Sequence, residues 1–373
     1  GEDEKKLLDS QNREKLDYLY PEYSDSVSSF FKNNIRLYLE SSLYCKKSII
    51  FDLQDIPKCH NGTSEFALTV LNYICKLNVA YNLYILINLK AYRFHKKIIP
   101  KNINVFFKEN EINRYFNLCF RPMQFFSRES LDLSRRISDK LIFVMQDIIS
   151  LRTNNLSSNE LINIFRDSII NSDKIIAISK FVREDMKGYF NDLSPSVEVI
   201  HHGLLDKRTS HKDEQYILVV GNKFHHKSIK ECIYIIKDSN YKFKVIGSDI
   251  EIIQSDNIEY IKSGHLKEIE IKQLYQNCSL ILYPSSYEGF GLPICHAIRF
   301  SKYIICFENQ LNCELVEYFK FFKGIKLITS FEEIENTISE LSNIEIPDYT
   351  VPEELTWENT SRKYIKVFKD ILI

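Results

Sequence analysis

The stretch SSYEGFGLPICHAIRF, residues 285–300, decides how this chain is read. It follows an apolar, β-rich run, SLILYPS (279–285), and its second half, PICHAIRF (293–300), carries helical spacing. A strand therefore enters a turn through Gly289, Gly291 and Pro293 and leaves it as a helix. Amide N–H groups beside Gly291 would stand free at the helix start, where the helix dipole suits a phosphate or sugar hydroxyls. Glu288 lies on the same turn, and a carboxylate is a good acceptor for hydroxyls. Taken alone, the pattern fits a solvated tight turn equally well.

Outward from this turn, strands and helices alternate. Towards the N-terminus the series reads YILVVG (216–221) as strand, SIKECIYIIKD (228–238) as helix, YKFKVIG (241–247) as strand and EIEIKQLYQNC (268–278) as helix; YIICF (303–307) continues it beyond the turn. An earlier series runs through SIIFDL (48–53), FALTVLNYICKL (66–77), YNLYILINL (81–89), KLIFVMQDI (140–148), ELINIFRDSIINS (160–172), DKIIAIS (173–179), KFVREDMKGYF (180–190) and VEVIHHG (197–203). Alternation of this kind predicts parallel sheets covered by helices on both faces. The polar segment LLDKRTSHKDEQ (204–215) separates the two series. The expected division is a helical extension over 1–45, a first Rossmann-like domain over 46–208, a second over 209–352, and a C-terminal helix, 353–373, packing back on the first domain. Two such domains place a ligand in the cleft between them, outside the carboxyl ends of the strands.

Bulk properties narrow the function. A chain of 373 residues exceeds one ordinary core, and 44% apolar with 27% charged residues is typical of a globular protein. A net charge of −1 argues against a nucleic-acid partner, which calls for a basic excess. The nine cysteines are odd in number and form no C-x-x-C, as expected of free thiols in a reducing compartment. No apolar run approaches the ~20 residues of a membrane span, and GEDEKKLLDS does not read as a signal peptide. The expected location is cytoplasmic. The basic, aromatic stretch LKAYRFHKKIIPKNINVFFK (89–108) reads either as a solvated face or as a weak docking surface for anionic lipid or a lipid-linked acceptor.

Two more strand-to-helix turns carry candidate chemistry. In VVGNKFHHKSIKE, Gly221 ends a strand and Lys223 and Lys227 follow, with His225 and His226 between them. A lysine there can meet a phosphate as a point charge, although the spacing is not that of a P-loop. In HNGTSEF, Gly62 and Thr63 follow the first strand, where a glycine lets the backbone approach a ligand.

Together these loops resemble the retaining glycosyltransferases of GT-B fold that include bacterial mannosyl-, glucosyl- and rhamnosyltransferases. The resemblance runs in order through NGTSEF, SDKIIAISKFVREDM, VIHHG, YILVVGNKFHHKS, LYPSSYEGFGLPICHAI, NCELVE and LTWENTSRKYIKVF. It covers the chain from about Ser48 onward, and P-S-x-x-E-G-F-G-L-P is its most specific part. It implies transfer of a sugar from a nucleotide-diphosphate sugar to a hydroxyl of a glycan or lipid-linked acceptor. It further implies that Lys227 contacts the donor diphosphate, that Glu288 contacts the donor sugar, and that the backbone of Phe290, Gly291 and Leu292 holds diphosphate and sugar oxygens. The Gly62–Thr63 loop would face the same diphosphate, with Gly221 and Lys223 on the opposite loop. No cofactor or bound metal is expected, and no D-x-D triplet occurs.

Two positions depart from the family. His296 stands where a second glutamate usually holds the ribose hydroxyls, and an imidazole can make only one such hydrogen bond. Gln146-Asp147 stands where many relatives have His-Asp, and a glutamine amide can bind a sugar hydroxyl without titrating. Adjacent His201 and His202 are expected to point to opposite sides of a strand rather than to bind a metal. Rival readings are a catalytically silent relative acting as a binding subunit of a larger assembly, and a nucleotide-sugar epimerase of the same fold.

Overall fold

The computed structural model describes residues 12, 15, 47–153, 157–193, 196–206, 215–247, 253–262, 266–342 and 344–372. The helical extension expected over residues 1–45 thus lies outside the described residues apart from Asn12 and Lys15.

The first domain opens with β1 (Ser48–Leu53), α1 (Gly62–Lys76), β2 (Asn82–Ile87), α2 (Leu89–His95) and β3 (Asn104–Phe106). It continues through β4 (Phe116–Arg121), α3 (Arg128–Arg136), β5 (Ser138–Met145), α4 (Ile149–Arg152), α5 (Asn159–Ile170), β6 (Lys174–Ala177), α6 (Lys180–Tyr189) and β7 (Val197–Val199). Its seven strands lie in the order β3-β2-β1-β4-β5-β6-β7, and every pairing is parallel. All six residues of β1 are buried, as a central parallel strand covered on both faces requires.

The second domain contains β8 (Ile217–Val220), α7 (Ile229–Ile236), β9 (Phe243–Ile246), β10 (Ile258–Ile261), α8 (Glu268–Asn277), β11 (Leu280–Tyr283), α9 (Leu292–Phe300), β12 (Tyr303–Phe307), α10 (Gln310–Tyr318), β13 (Ile325–Ile328) and α11 (Glu333–Leu341). Its parallel sheet has the order β10-β9-β8-β11-β12-β13. Strand order reverses between β1 and β4 in one sheet and between β8 and β11 in the other. Such switch points open a crevice at the carboxyl ends of the strands.

The final helix, α12 (Trp357–Ile371), returns to the first domain. Phe368 packs edge-on against Phe120 at 5.0 Å, and Trp357, at the start of α12, lies 6.1 Å from Phe66 of α1. Leu204 N donates to Leu355 O and Trp357 N to Leu204 O, so the segment that follows β7 and the start of α12 cross in backbone contact. A Cβ on Gly203 would lie 2.4 Å from the Trp357 Cα, so only glycine permits this crossing.

The structure departs from the sequence reading in places. The strand expected over 197–203 ends at Val199, because the chain must turn there to meet α12. Strand β4, FNLCFR, interrupts its apolar run with Asn117 and Arg121, yet it is a central strand. Arg121 is fully buried and pairs with Asp52 at 2.7 Å and with Asp55. Helix α1 begins at Gly62 rather than near Phe66. Asn61 caps it by accepting from Ser64 N at 2.8 Å, while Ser64 Oγ accepts from Asn61 N. Gly62 is therefore a helical residue, not part of a glycine turn.

Candidate active site

The loops after β1, β5, β8 and β11 converge on a cleft of about 560 Å³ between the two sheets. Of the residues singled out from sequence, Gly62, Thr63, Gln146, Asp147, Gly221, Lys227, Glu288, Phe290, Gly291, Leu292 and His296 line it. Lys223 is exposed on the same loop as Lys227 and does not line the cleft.

Lys227 and Glu288 form an ion pair on the cleft floor, each less than one-fifth exposed. Glu288 also accepts from Ser285 Oγ at 2.6 Å. Burial works against the ionised carboxyl, but the Lys227 ammonium and hydrogen bonds from Lys227, Ser285 and Tyr283 hold it below the usual carboxylate range. The two loops that carry the pair are joined through the backbone. Ser286 donates to His226 O through its N–H at 2.8 Å and its Oγ at 3.1 Å. Lys227 closes a single 3-10 turn, His225–Lys227, before the left-handed Ser228. Burial beside Lys227 pushes the His226 imidazole down to about 4.

Beyond Glu288 the chain passes Gly289 and Phe290 and reaches Gly291, whose φ of 117° is open essentially to glycine alone. Gly291 caps α9 with no side-chain hydrogen bond, and Pro293 follows in the first turn. Across the cleft stands the start of α1: a Cβ on Gly62 would lie 3.1 Å from Leu292 Cδ1. Two helix starts thus face one another above the Lys227–Glu288 pair.

Gln146 and Asp147 follow β5 on the first-domain wall. The Gln146 side chain accepts from Thr63 Oγ1 at 3.2 Å and donates to Pro122 O at 2.8 Å, so its amide is engaged within the protein. Asp147 Oδ1 accepts from Ile149 N at 3.1 Å. Burial raises its pKa from 3.8 to about 6, opposed by that hydrogen bond and reinforced by the nearby Glu288 charge.

Contacts between the domains are specific. Ser179 Oγ donates to Gly289 O at 2.8 Å. Glu314, on α10, accepts from Lys180 N at 2.7 Å, from Phe181 N at 2.8 Å and contacts His201 Nε2 at 2.6 Å. His201 and His202 do take different partners, although they lie beyond the strand. His201 stacks on Tyr318 at 4.1 Å, whereas buried His202 lies between Phe66 and Phe290 at 4.5 and 4.4 Å. Burial drives the His202 imidazole down to about 3, so it is a neutral ring in this wall.

Sequence reading missed His60 and Glu65 on the first wall, and Lys262, Tyr275 and Tyr283 on the second; all line the cleft. Glu65 Oε1 lies 3.5 Å from His296 Nε2, and His296 stacks on Tyr275 at 4.5 Å. The one local signal for Glu65 was its place two residues after the Gly62–Thr63 pair.

Residues 204–348 match the family model described as Glycosyl transferases group 1. Over 150 residues the chain is 29% identical to an uncharacterised glycosyltransferase of Methanocaldococcus jannaschii; the match covers 38% of this chain and 42% of that protein, under half its length. Among solved structures, sucrose-phosphate synthase from Thermosynechococcus elongatus superposes with a TM-score of 0.64 at 9% identity, over 87% of this chain and 99% of the other. The pneumococcal O-GlcNAc transferase GtfA, in complex with UDP and GlcNAc, gives 0.60 at 10% identity over 88% and 100%. A UDP-N-acetylglucosamine 2-epimerase from Listeria monocytogenes, itself assigned as putative, gives 0.53 at 10% identity over 87% and 96%. At these identities the superpositions establish the fold, which transferases and the epimerase share. Residues 204–348 thus resemble a Glycosyl transferases group 1 domain, set in a two-domain chain of GT-B fold.

Proposed function

We propose that this protein transfers a sugar from a nucleotide-diphosphate sugar to an acceptor hydroxyl, with retention of anomeric configuration, in glycan synthesis at the cytoplasmic face of a membrane. The observation that carries this reading is the juxtaposition of Lys227, Glu288 and the uncapped start of α9 at the switch point of the second sheet. An ammonium keeps three donors; Glu288 occupies one, and the others are available to a diphosphate. Lys227 and the α9 start would stabilise the charge that develops on the leaving diphosphate as its bond to the sugar C1 breaks. Glu288 would accept from a donor-sugar hydroxyl. The acceptor oxygen attacks C1 from the face that the diphosphate leaves, and its proton passes to the departing phosphate oxygen. The protein contributes position and electrostatics, and the clasped domains exclude water that would otherwise hydrolyse the donor.

Among the described residues no helix is long and apolar enough to cross a membrane. Surface docking is supported by the exposed Leu89, Phe94 and Ile98, which lie among Lys90, Arg93, Lys96 and Lys97. Flotation with anionic vesicles tests the docking. A thermal-shift screen across nucleotide sugars tests the donor: the reading requires at least one to raise the melting temperature, and uniform silence contradicts it.

A further inference from the structure

Glu65 stands one turn into α1, and His296 one turn into α9. These helices begin face to face at Gly62 and Leu292, so Glu65 and His296 meet across the cleft one turn further on. Glu65 Oε1 is 3.5 Å from His296 Nε2, and Oε2 is 3.5 Å from His60 Nε2. Both distances are longer than a good hydrogen bond, so the carboxylate retains acceptor capacity. Its side chain is 22% exposed, on the cleft wall. Burial disfavours its charge, yet the two imidazoles hold it well below the usual carboxylate range.

The surroundings show what would meet such an acceptor. Ile246, Leu266, Ile271 and Tyr275 give the same cleft an apolar and aromatic lining, with Tyr275 stacked on His296. The α9 start and Lys227 line it as well and supply its cationic part. In a nucleoside diphosphate, the ribose joins a flat base to charged phosphates. An ionised acceptor in a cleft that offers both an apolar lining and a cationic part is suited to the ribose diol that joins the two. We propose that Glu65, reaching across from the first domain, is the ribose-binding carboxylate of this cleft, and that His296 and His60 position it. The inference rests on the nucleotide-sugar reading given above. It also explains the histidine at 296: a second carboxylate there would face Glu65 with like charge, whereas an imidazole orients it. Ribose recognition then spans both domains, so a bound nucleotide favours closure.

The test is calorimetry with UDP, ADP and GDP and with their 2′,3′-dideoxy counterparts. Wild type should prefer the ribose form of whichever base it accepts by about tenfold or more, the range of hydrogen bonds to a charged group. Glu65→Gln, which keeps the shape, should reduce that preference to about threefold or less while leaving affinity for the dideoxy form within about twofold. Exchanging the pair, Glu65→His with His296→Glu, should restore the preference from the opposite wall. Equal binding of ribose and dideoxy forms by wild type, or an unchanged preference in Glu65→Gln, overturns the assignment of Glu65 alone. Wild type that binds none of these nucleotides overturns the nucleotide-sugar reading and this inference with it.

Discussion

A Cβ atom on Gly289 would lie 1.9 Å from the carbonyl oxygen of Gln146. The turn that carries Glu288 is thus pressed against the end of β5 in the other domain, backbone against backbone. Gly289→Ala cannot be accommodated without moving one of these loops. The second domain should still fold, since the glycine lies at its edge. Transfer activity should fall by about a hundredfold, in keeping with misplacement of reacting groups by about an ångström. Small-angle scattering should show a larger radius of gyration. Wild-type turnover in this variant would show that the contact is not needed for catalysis.

Glu314 fastens the domains from another side. It is 11% exposed and receives the first two amides of α6 as well as His201. Partial burial opposes its charge, but His201 and these amides hold it below the usual carboxylate range. A depressed carboxylate contributes stability above its ordinary pKa and loses it as pH falls through the lower, folded value. Glu314→Gln should therefore cost about 1–3 kcal/mol at pH 7 and progressively less in acid. Denaturant titrations at pH 7 and pH 3 check this, and an equal cost at both would remove the charge from the explanation.

Asp147 behaves in the opposite sense. Its pKa rises from 3.8 to about 6 through burial and the charge of Glu288. Between these values the folded protein binds more protons than the unfolded chain, so this group lowers stability as pH rises from about 4 to about 6. Below that window it contributes nothing; above it, the penalty is complete and amounts to about 3 kcal/mol at most. Asp147→Asn should therefore be more stable than wild type at pH 8 and indistinguishable near pH 4. Melting curves of the two proteins across that range decide it; a constant difference would assign the effect to packing.

Much of this arrangement was legible because it is local. β11 is a continuous apolar run and β1 is apolar through Ile49–Phe51, as suits buried parallel strands, and Gly291 marks a turn that needs its positive φ. Strand β4 was hidden because Arg121 looks wrong for a core until Asp52 and Asp55, distant in sequence, neutralise it. Thr63 and Gln146 were both picked out by sequence, but not their hydrogen bond to one another. The meeting of Glu65 with His296 was equally invisible: His296 stood out by its position in the motif, but Glu65 looks like an ordinary polar residue on another helix. Periodicity reports which face of an element is buried; it carries no information on which side chain waits across a cleft.

The most direct measurement follows a nucleotide sugar chosen from the thermal screen by proton NMR, with acceptor present, in wild type and in Lys227→Ala. Nucleoside diphosphate should be released together with a glycoside of the same anomeric configuration as the donor. Lys227→Ala should lower the rate by about 2–4 kcal/mol of transition-state stabilisation in a protein that still folds, with some loss of melting temperature because Glu288 is left unpaired. An inverted product would contradict the retaining mechanism. Turnover in Lys227→Ala equal to wild type, or binding of the donor by wild type with no transfer to any acceptor, would contradict the assignment of this cleft as a glycosyltransferase active site.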